Sequence, residues 1–551
     1  MENTSVFKKR TGDLILHGAN NGHVGDMYTM YEWYKEGKFS VEKDELLAVE
    51  YRRKAFECLV SNQLYYSKIS INGFKGIKST LHTIDLNERL NLFVGVNGCG
   101  KTTILESIAK SYSWIINQIK SASIGRSIKE FQINNSSEIQ DCFLEFDINV
   151  GARSKFEMVL AKSKVSDGKR AKSYLEEFRR LGTIFADFNN TKDNLNLPIF
   201  AYYSTGRAVD VNYESSKIDI ESISSSSKFD AYSNVKGEQG SYKDIIKWLA
   251  VSGTLEDDNK KLLRKQLNKL NGHAVKLAGL LSKLPTHLLD DVDLVSSMKE
   301  SRKETEEYIV KLESELFDGN EISELIKFVI SKFMGIDNIR TEVNEEYIEV
   351  KFEKDGVTLN ASDLSHGEKS LFLLVTDIAR RLYLLNPGRR LNNVADVLDG
   401  NGVVLIDEIE VHLHPKWQQI VIPRLVETFK NIQFIITTHS PQVVATVKEE
   451  CIKVISNDKG DLSFSRPDFS YGSESNSVME DIFGAQTRST ELEIIKKLNQ
   501  FKELIMNGDW DSQTYRELEE ELTSWAGHHD PVVKKMQMDV VLRKRRKSSG
   551  K

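Results

Sequence analysis

Apolar residues along the chain follow two rhythms, and the change from one to the other divides it. Short runs of Ile, Val, Leu, Phe and Tyr bounded by polar or glycine positions read as strands. They occur at Ile69, Ile71 and Phe74 before a turn at Gly73 and Gly76, at Leu90, Leu92, Phe93 and Val94, over Cys142–Ile148 and Phe156–Leu160, and over Leu197–Tyr203. A second set follows near Ile348–Phe352, Val357–Leu359, Gly402–Ile406 and Asn431–Thr438. Elsewhere the spacing is helical. Gly22–Gly37 and Asp44–Phe56 predict a helical hairpin, the first helix closed by glycine and the second packed through Ala48, Tyr51 and Ala55. Leu371, Phe372, Leu373, Leu374, Val375 and Ile378 mark a strongly apolar helix, and Leu492, Ile495, Leu498, Phe501 and Ile505 another.

At 551 residues the chain exceeds what one hydrophobic core usually supports, so a large core with inserted and appended modules is expected. The pattern predicts five regions: an N-terminal helical hairpin at 1–62, a first α/β lobe at 63–210, a flexible loop and helical arm at 211–335, a second lobe at 336–456, and a helical region with a basic tail at 457–551. Residues 211–240 are rich in Ser, Asp, Gly and Lys and read as an exposed or disordered loop. The arm from about Tyr242 to Phe333 carries Leu262, Leu263, Leu267, Leu270, Leu277, Leu280 and Leu281 without a sustained heptad, which argues against a long coiled coil. The hairpin resembles a single tetratricopeptide repeat, with a plain helical pair as the equal alternative; either must bury its face against a neighbour.

Composition narrows the class. A net charge of -6 gives no global basic footprint, so nucleic-acid contact would need a local patch such as Arg543–Lys547, which also reads as a solvated basic terminus. Cys58, Cys99, Cys142 and Cys451 are far apart, without metal or disulfide spacing. No apolar run approaches the roughly 20 residues of a membrane span, and the first residues hold no apolar signal core, so a cytoplasmic protein is expected.

The chemistry centres on Gly95-Val-Asn-Gly-Cys-Gly-Lys-Thr102, set between a strand and a helix. Its spacing is that of a phosphate-binding loop, in which backbone N–H groups and the helix N-terminus hold phosphates. Gly95, Asn97, Gly98, Gly100, Lys101, Thr102 and Thr103 are therefore expected at the nucleotide, with Lys101 on phosphate charge and Thr102 on Mg²⁺. Gly402–Ile406 is an apolar strand ending in Asp407 and Glu408; Asp407 would hold Mg²⁺ through water and Glu408 would act as general base. Leu364-Ser-His-Gly-Glu-Lys-Ser370 opens a helix whose N-terminus attracts an anion, with Ser365 and Glu368 at capping-box spacing.

That helix start resembles the signature of ATP-binding-cassette ATPases, usually Leu-Ser-Gly-Gly-Gln; His366 and Glu368 depart from it. The resemblance implies that Ser365, Gly367 and Glu368 meet the γ-phosphate of ATP held by another subunit, and hence a homodimer or higher homo-oligomer with ATP between its heads. His439 matches the switch histidine of that class, placed to sense the γ-phosphate. Glu410-Val-His-Leu-His-Pro415 resembles the dimer-seam segment of overcoming-lysogenization-defect and structural-maintenance-of-chromosomes relatives, which makes Glu410 and His412 candidate cross-subunit contacts. His412 with His414 as a metal pair lacks a third ligand. A clear glutamine loop is missing; Arg207, in Tyr203-Ser-Thr-Gly-Arg207, is a candidate phosphate or lobe-coupling residue, and Lys75 is a further candidate.

Taken together, residues 64–456 resemble an ABC-type, SMC-like two-lobed P-loop ATPase head of the α/β class with a helical insertion and helical additions at both ends. Tyr471–Gly484 resembles the stretch after the ATPase in PtuA-like ATPases of Septu-type anti-phage defence, closest to the retron-associated kind. That resemblance implies an ATPase that uses ATP and Mg²⁺ and holds an HNH endonuclease (PtuB-like) together with a retron reverse transcriptase and its msDNA, with abortive infection as the outcome. The alternative is a DNA-repair ATPase of the RecF or coiled-coil break-repair kind. In the tail, Ser456 to Lys551, Asp509-Trp-Asp511 is the one D-x-D, and it follows Gly508 with no strand before it, so no nuclease centre is expected in the chain. The final helices, with Trp525, are expected to dock a partner.

Overall fold

A computed structural model describes residues 12–39, 41–121, 123–164, 171–191, 195–208, 228–232, 324–343, 348–354, 356–360, 363–390, 393–526 and 529–548. These fall into two compact units, 1–472 and 473–551.

The main unit is built on a seven-stranded sheet in the order β2-β14-β13-β4-β12-β11-β7. The strands are β2 (Ser79–Thr80), β4 (Leu90–Val94), β7 (Ile199–Tyr203), β11 (Gly402–Ile406), β12 (Ile432–Thr438), β13 (Ile452–Asp458) and β14 (Asp461–Ser465). From β13 to β7 every pairing is parallel. Every residue of β7, β11 and β12 is buried, as expected for a parallel sheet covered on both faces. A four-stranded antiparallel sheet, β3-β1-β5-β6, lies against it: β1 (Leu64–Asn72), β3 (Ile84–Asp85), β5 (Asp141–Val150) and β6 (Ser154–Ser163). The Gln433 side chain joins the two sheets, accepting from Tyr66 N at 2.8 Å and donating to Tyr66 O at 2.8 Å. A third sheet, β8 (Asp337–Val343), β9 (Ile348–Lys354) and β10 (Val357–Asn360), is antiparallel.

The helix Lys101–Ser121 runs through the middle and buries Ile104, Leu105, Ile108, Tyr112 and Ile115. Tyr66 and Ser111 share a hydrogen bond of 2.5 Å between helix and antiparallel sheet. N-terminal helices Gly12–Asn20, Val24–Glu36 and Glu45–Ser61 pack on this unit. Arg180 donates to Glu32 at 2.8 Å, Arg52 donates to Thr191 at 3.0 Å, and Arg52 stacks its guanidinium over Phe188. The hairpin thus gains a third helix and rests on the helix Glu176–Asn190.

Two expectations need correction. Residues 228–232, expected within an exposed loop, form a short 3₁₀ turn with Ala231 and Tyr232 buried; the aromatic and apolar residues hidden in a serine-rich context supply the packing. The sequence pattern ends the second lobe at 456, yet β14 pairs with β13 and β2, and the main unit runs to Gly472. Of the arm, a helix over 324–334 is described, with Leu325, Val329, Ile330 and Phe333 buried; the remainder, with its leucines, lies outside the described residues.

The second unit holds the helices Ser475–Asp481, Glu493–Asn507, Gln513–Ala526 and Pro531–Ser548. Ile495, Leu498, Phe501 and Ile505 form one apolar stripe at helical spacing and pack with Trp510, Tyr515, Leu518, Leu522 and Val533. Phe501 stacks on Tyr515 at 4.9 Å. Asp509 and Asp511 flank the buried Trp510 in the turn after Gly508, so the D-x-D sits in a helix-to-helix corner. Among the described residues no helix is long and apolar enough to cross a membrane. The main unit is thus of the α/β class, a central, mostly parallel sheet with an antiparallel sheet and helices against it.

Candidate active site

Three parallel neighbours end together. In register, Phe93 and Val94 of β4 face Thr437 and Thr438 of β12, and Ile406 of β11 faces Ile436. The residues just beyond these strands therefore emerge on one edge of the sheet, the edge where ligands bind in α/β folds. They are the phosphate loop after β4, Asp407 and Glu408 after β11, and His439 after β12.

Gly98 and Gly100 take φ angles of 79° and 110°, which only glycine adopts without cost, and let the loop curl into the helix at Lys101. Asn97 is exposed at the tip, and Thr103 lies in the first turn of the helix. The Lys101 ammonium donates to the carbonyls of Gly95 at 2.9 Å and Val96 at 3.0 Å. Burial lowers its pKa, while Cys99 and the carboxylates of Glu408 and Asp407 pull the other way. Thr102 Oγ1 donates to Asp407 Oδ2 at 2.8 Å, and Thr437 Oγ1 donates to Asp407 Oδ1 at 2.6 Å. Asp407, 1% exposed, is thereby held by hydroxyls on both oxygens.

Glu408 has φ 46°, a left-handed conformation unusual outside glycine, and its N–H donates to Thr437 Oγ1 at 2.7 Å. This turn aims the Glu408 carboxylate at His439, whose Nε2 lies 3.9 Å from Oε1. Burial first, and the Lys101 charge second, lower the His439 pKa below its ordinary value, against the opposing carboxylates of Glu410, Glu408 and Asp407. Glu410 accepts from Thr438 Oγ1 at 2.8 Å and from the His439 N–H. Within the chain it braces the end of β12, a role its place in the sequence did not reveal.

Ser365 caps the helix His366–Leu385: its Oγ accepts from Glu368 N at 3.3 Å, and Glu368 Oε2 accepts from Ser365 N at 3.1 Å. Gly367 is buried, and a Cβ there would overlap the His412 carbonyl oxygen. The signature helix therefore starts against the segment that follows Glu408, where His412 takes φ 63°. The His414 ring caps Pro415–Gln418 through Lys416 N at 3.3 Å, and among the described residues no group of three His, Cys, Asp or Glu side chains is placed to hold a metal. Lys75, with φ 51°, pairs with Glu106 on the phosphate-loop helix. Arg207 lies in a 3₁₀ turn, Thr205–Ala208, directly after β7.

The family described as the AAA ATPase domain matches residues 65–444. The chain belongs to this family. The ATPase is 28% identical over 532 residues to the Retron Ec83 probable ATPase of Escherichia coli, covering 96% of each chain. It is 30% identical to the Retron Vc95 probable ATPase of Vibrio cholerae serotype O1 biovar El Tor, over 91% of this chain and 95% of the relative. The Septu protein PtuA of Bacillus thuringiensis is 23% identical over 77% of this chain and 86% of its own. Among solved structures, the Smc head domain of Pyrococcus furiosus bound to the C-terminal domain of ScpA gives a TM-score of 0.38 at 15% identity, over 73% of this chain and 96% of that one. The chain is a nucleotide-binding ATPase of the PtuA-like, retron-associated kind.

Proposed function

We propose that the protein is the ATP-driven regulatory and scaffold subunit of an anti-phage defence complex, in which ATP joins two copies head to tail and the closed pair controls a partner HNH endonuclease. The near full-length similarity to two retron ATPases carries the defence reading, and favours it over DNA repair. A reverse transcriptase with its msDNA is the further partner this reading implies, and abortive infection its outcome.

In this reading the phosphate loop, Gly95 to Thr103, wraps the phosphates and Lys101 leaves its loop carbonyls for the β- and γ-phosphate oxygens. The Thr102 hydroxyl and the Asp407 carboxylate, 2.8 Å apart, fit a hard cation that keeps most of its waters, as Mg²⁺ does. Bound there with the phosphates, the ion would neutralise charge developing on them. Glu408 orients and deprotonates the attacking water. His439, held neutral, donates a ring N–H to the γ-phosphate. The ATP site is completed by Ser365, Gly367 and Glu368 of a second copy, whose helix N-terminus attracts an anion.

The test is to purify the wild-type protein and Glu408→Gln with the neighbouring gene products, weigh the complexes with and without ATP, and challenge cells with phage. Retention of a nuclease and ATP-dependent pairing of heads are the expected results. A chain that stays single with ATP in Glu408→Gln, or that carries no nuclease, overturns the reading.

A further inference from the structure

Tyr203 stands where three parts of the main unit meet. Its carbonyl oxygen accepts the Asp407 N–H at 2.8 Å, immediately beyond the pairing of Tyr203 with Ile406. Its phenol donates to Asp377 Oδ2 at 2.9 Å, on the signature helix three turns beyond Ser365. The same carboxylate oxygen takes Arg381 Nε at 2.7 Å, and Arg381 Nη1 donates to the Ala231 carbonyl at 2.5 Å. Tyr232 donates to the Pro198 carbonyl at 2.7 Å, which fastens this third limb to the residue before β7.

Energetics argue that this is more than packing. The Asp377 and Arg381 side chains are each 5% exposed, and a buried ion pair is seldom more stabilising than apolar residues of the same volume. Its distinctive property is direction: a hydrogen-bonded charge pair fixes one relative position, where apolar side chains tolerate sliding. Burial pushes the Asp377 carboxyl up, but Arg381 and Arg380 outweigh it and keep it ionised, while burial beside that charge keeps the Tyr203 phenol protonated. The donor and acceptor are therefore fixed.

We propose that Tyr203 is a positioning residue that ties the Asp407–Glu408 end of one nucleotide site to the signature helix, so that the ATP held by a chain sets where its own Ser365 stands for a second copy. The inference rests on the head-to-tail reading above. It makes the two sites of a pair cooperative through one side chain, with the Asp377–Arg381 pair as the rigid link and residues 228–232 as its anchor.

The experiment compares wild type, Tyr203→Phe and Ser365→Ala in the full chain, measuring affinity for a fluorescent ATP analogue, turnover, the Hill coefficient for ATP, and the melting temperature. Tyr203→Phe keeps the ring and the ion pair and removes only the hydroxyl. The expected result is unchanged analogue affinity, a Hill coefficient falling to unity, and turnover reduced about tenfold, the scale of ordinary site-to-site coupling. A second variant, Asp377→Asn with Arg381→Gln, keeps hydrogen bonding without charge and should retain part of the cooperativity. If Ser365→Ala leaves turnover unchanged, the shared-site reading fails. If Ser365→Ala abolishes turnover while Tyr203→Phe keeps wild-type turnover and Hill coefficient, the link through Tyr203 fails and the shared site stands. Loss of analogue binding and melting temperature together in Tyr203→Phe assigns it to structure alone and overturns the proposal.

Discussion

The Thr102 hydroxyl and the Asp407 carboxylate meet at 2.8 Å across 305 residues of sequence. The phosphate loop and the acidic strand are far apart in the chain and adjacent in space because β12 alone separates β4 from β11. A hydroxyl fixed against a carboxylate is the pair expected to carry Mg²⁺. Thr102→Val keeps the side-chain volume and removes the oxygen, so ATP affinity measured with Mg²⁺ should fall about ten- to a hundredfold, the value of one hydrogen bond to a charged group. Affinity in the presence of a chelator should match wild type. An equal loss under both conditions would argue that Thr102 shapes the loop and does not serve the ion.

Glu408 owes its direction to a left-handed backbone and to the Thr437 hydroxyl on its N–H. Glu408→Gln preserves both and removes only the capacity to accept a proton. Turnover should fall about 10²- to 10⁴-fold, as for loss of a general base, with ATP binding retained. Single-turnover kinetics with quantification of bound ATP check this. Turnover at the wild-type rate sinks the general-base role.

His439 gives the site a pH dependence of known sign. Its pKa is depressed in the folded protein by burial and by Lys101, so the unfolded chain binds more protons as pH falls through the window at and below about 6.5. The contribution to stability is therefore complete above that window and declines on acidification. In His439→Asn the decline should be shallower. Urea unfolding of both proteins at about pH 7.5 and pH 5.5 measures the difference. A wild-type slope equal to the variant's would remove His439 from the account.

Much of this was legible before the fold was known, and the reason is burial. Gly402–Ile406 and Ile432–Thr438 are buried along their whole length, and their apolar runs stand out at once. The phosphate loop was legible because glycine is required by geometry. What stayed hidden is held by few apolar residues in polar company. In β14 only Leu462 and Phe464 alternate among Asp and Ser, and β8 shows only Ile339 and Val343 among polar residues. The turn at 228–232 was masked by its serine-rich surroundings, although Phe229, Ala231 and Tyr232 were the signal. The bracing role of Glu410 depends on how β11 and β12 are registered, which no local pattern encodes.

Gly367 offers the sharpest test of how the signature helix is seated. The position is buried, and the first atom a side chain would meet is the His412 carbonyl oxygen, part of a backbone turn closed by Val411 N to Glu408 O at 3.0 Å and Leu413 N to Glu410 O at 2.8 Å. Backbone cannot rotate aside as a flexible side chain can. In Gly367→Ala either the helix start or the turn after Glu408 must shift, at a cost of about 1–3 kcal/mol, typical of overpacking. Because the phosphate loop is untouched, affinity for an ATP analogue should remain near wild type. Turnover should fall at least about tenfold, since a small misplacement of a reacting group costs that much or more. Chemical denaturation, analogue binding and steady-state hydrolysis on the same preparation separate the two effects. Full turnover combined with the loss of stability would mean that the contact between Gly367 and His412 seats the helix without placing it for the reaction.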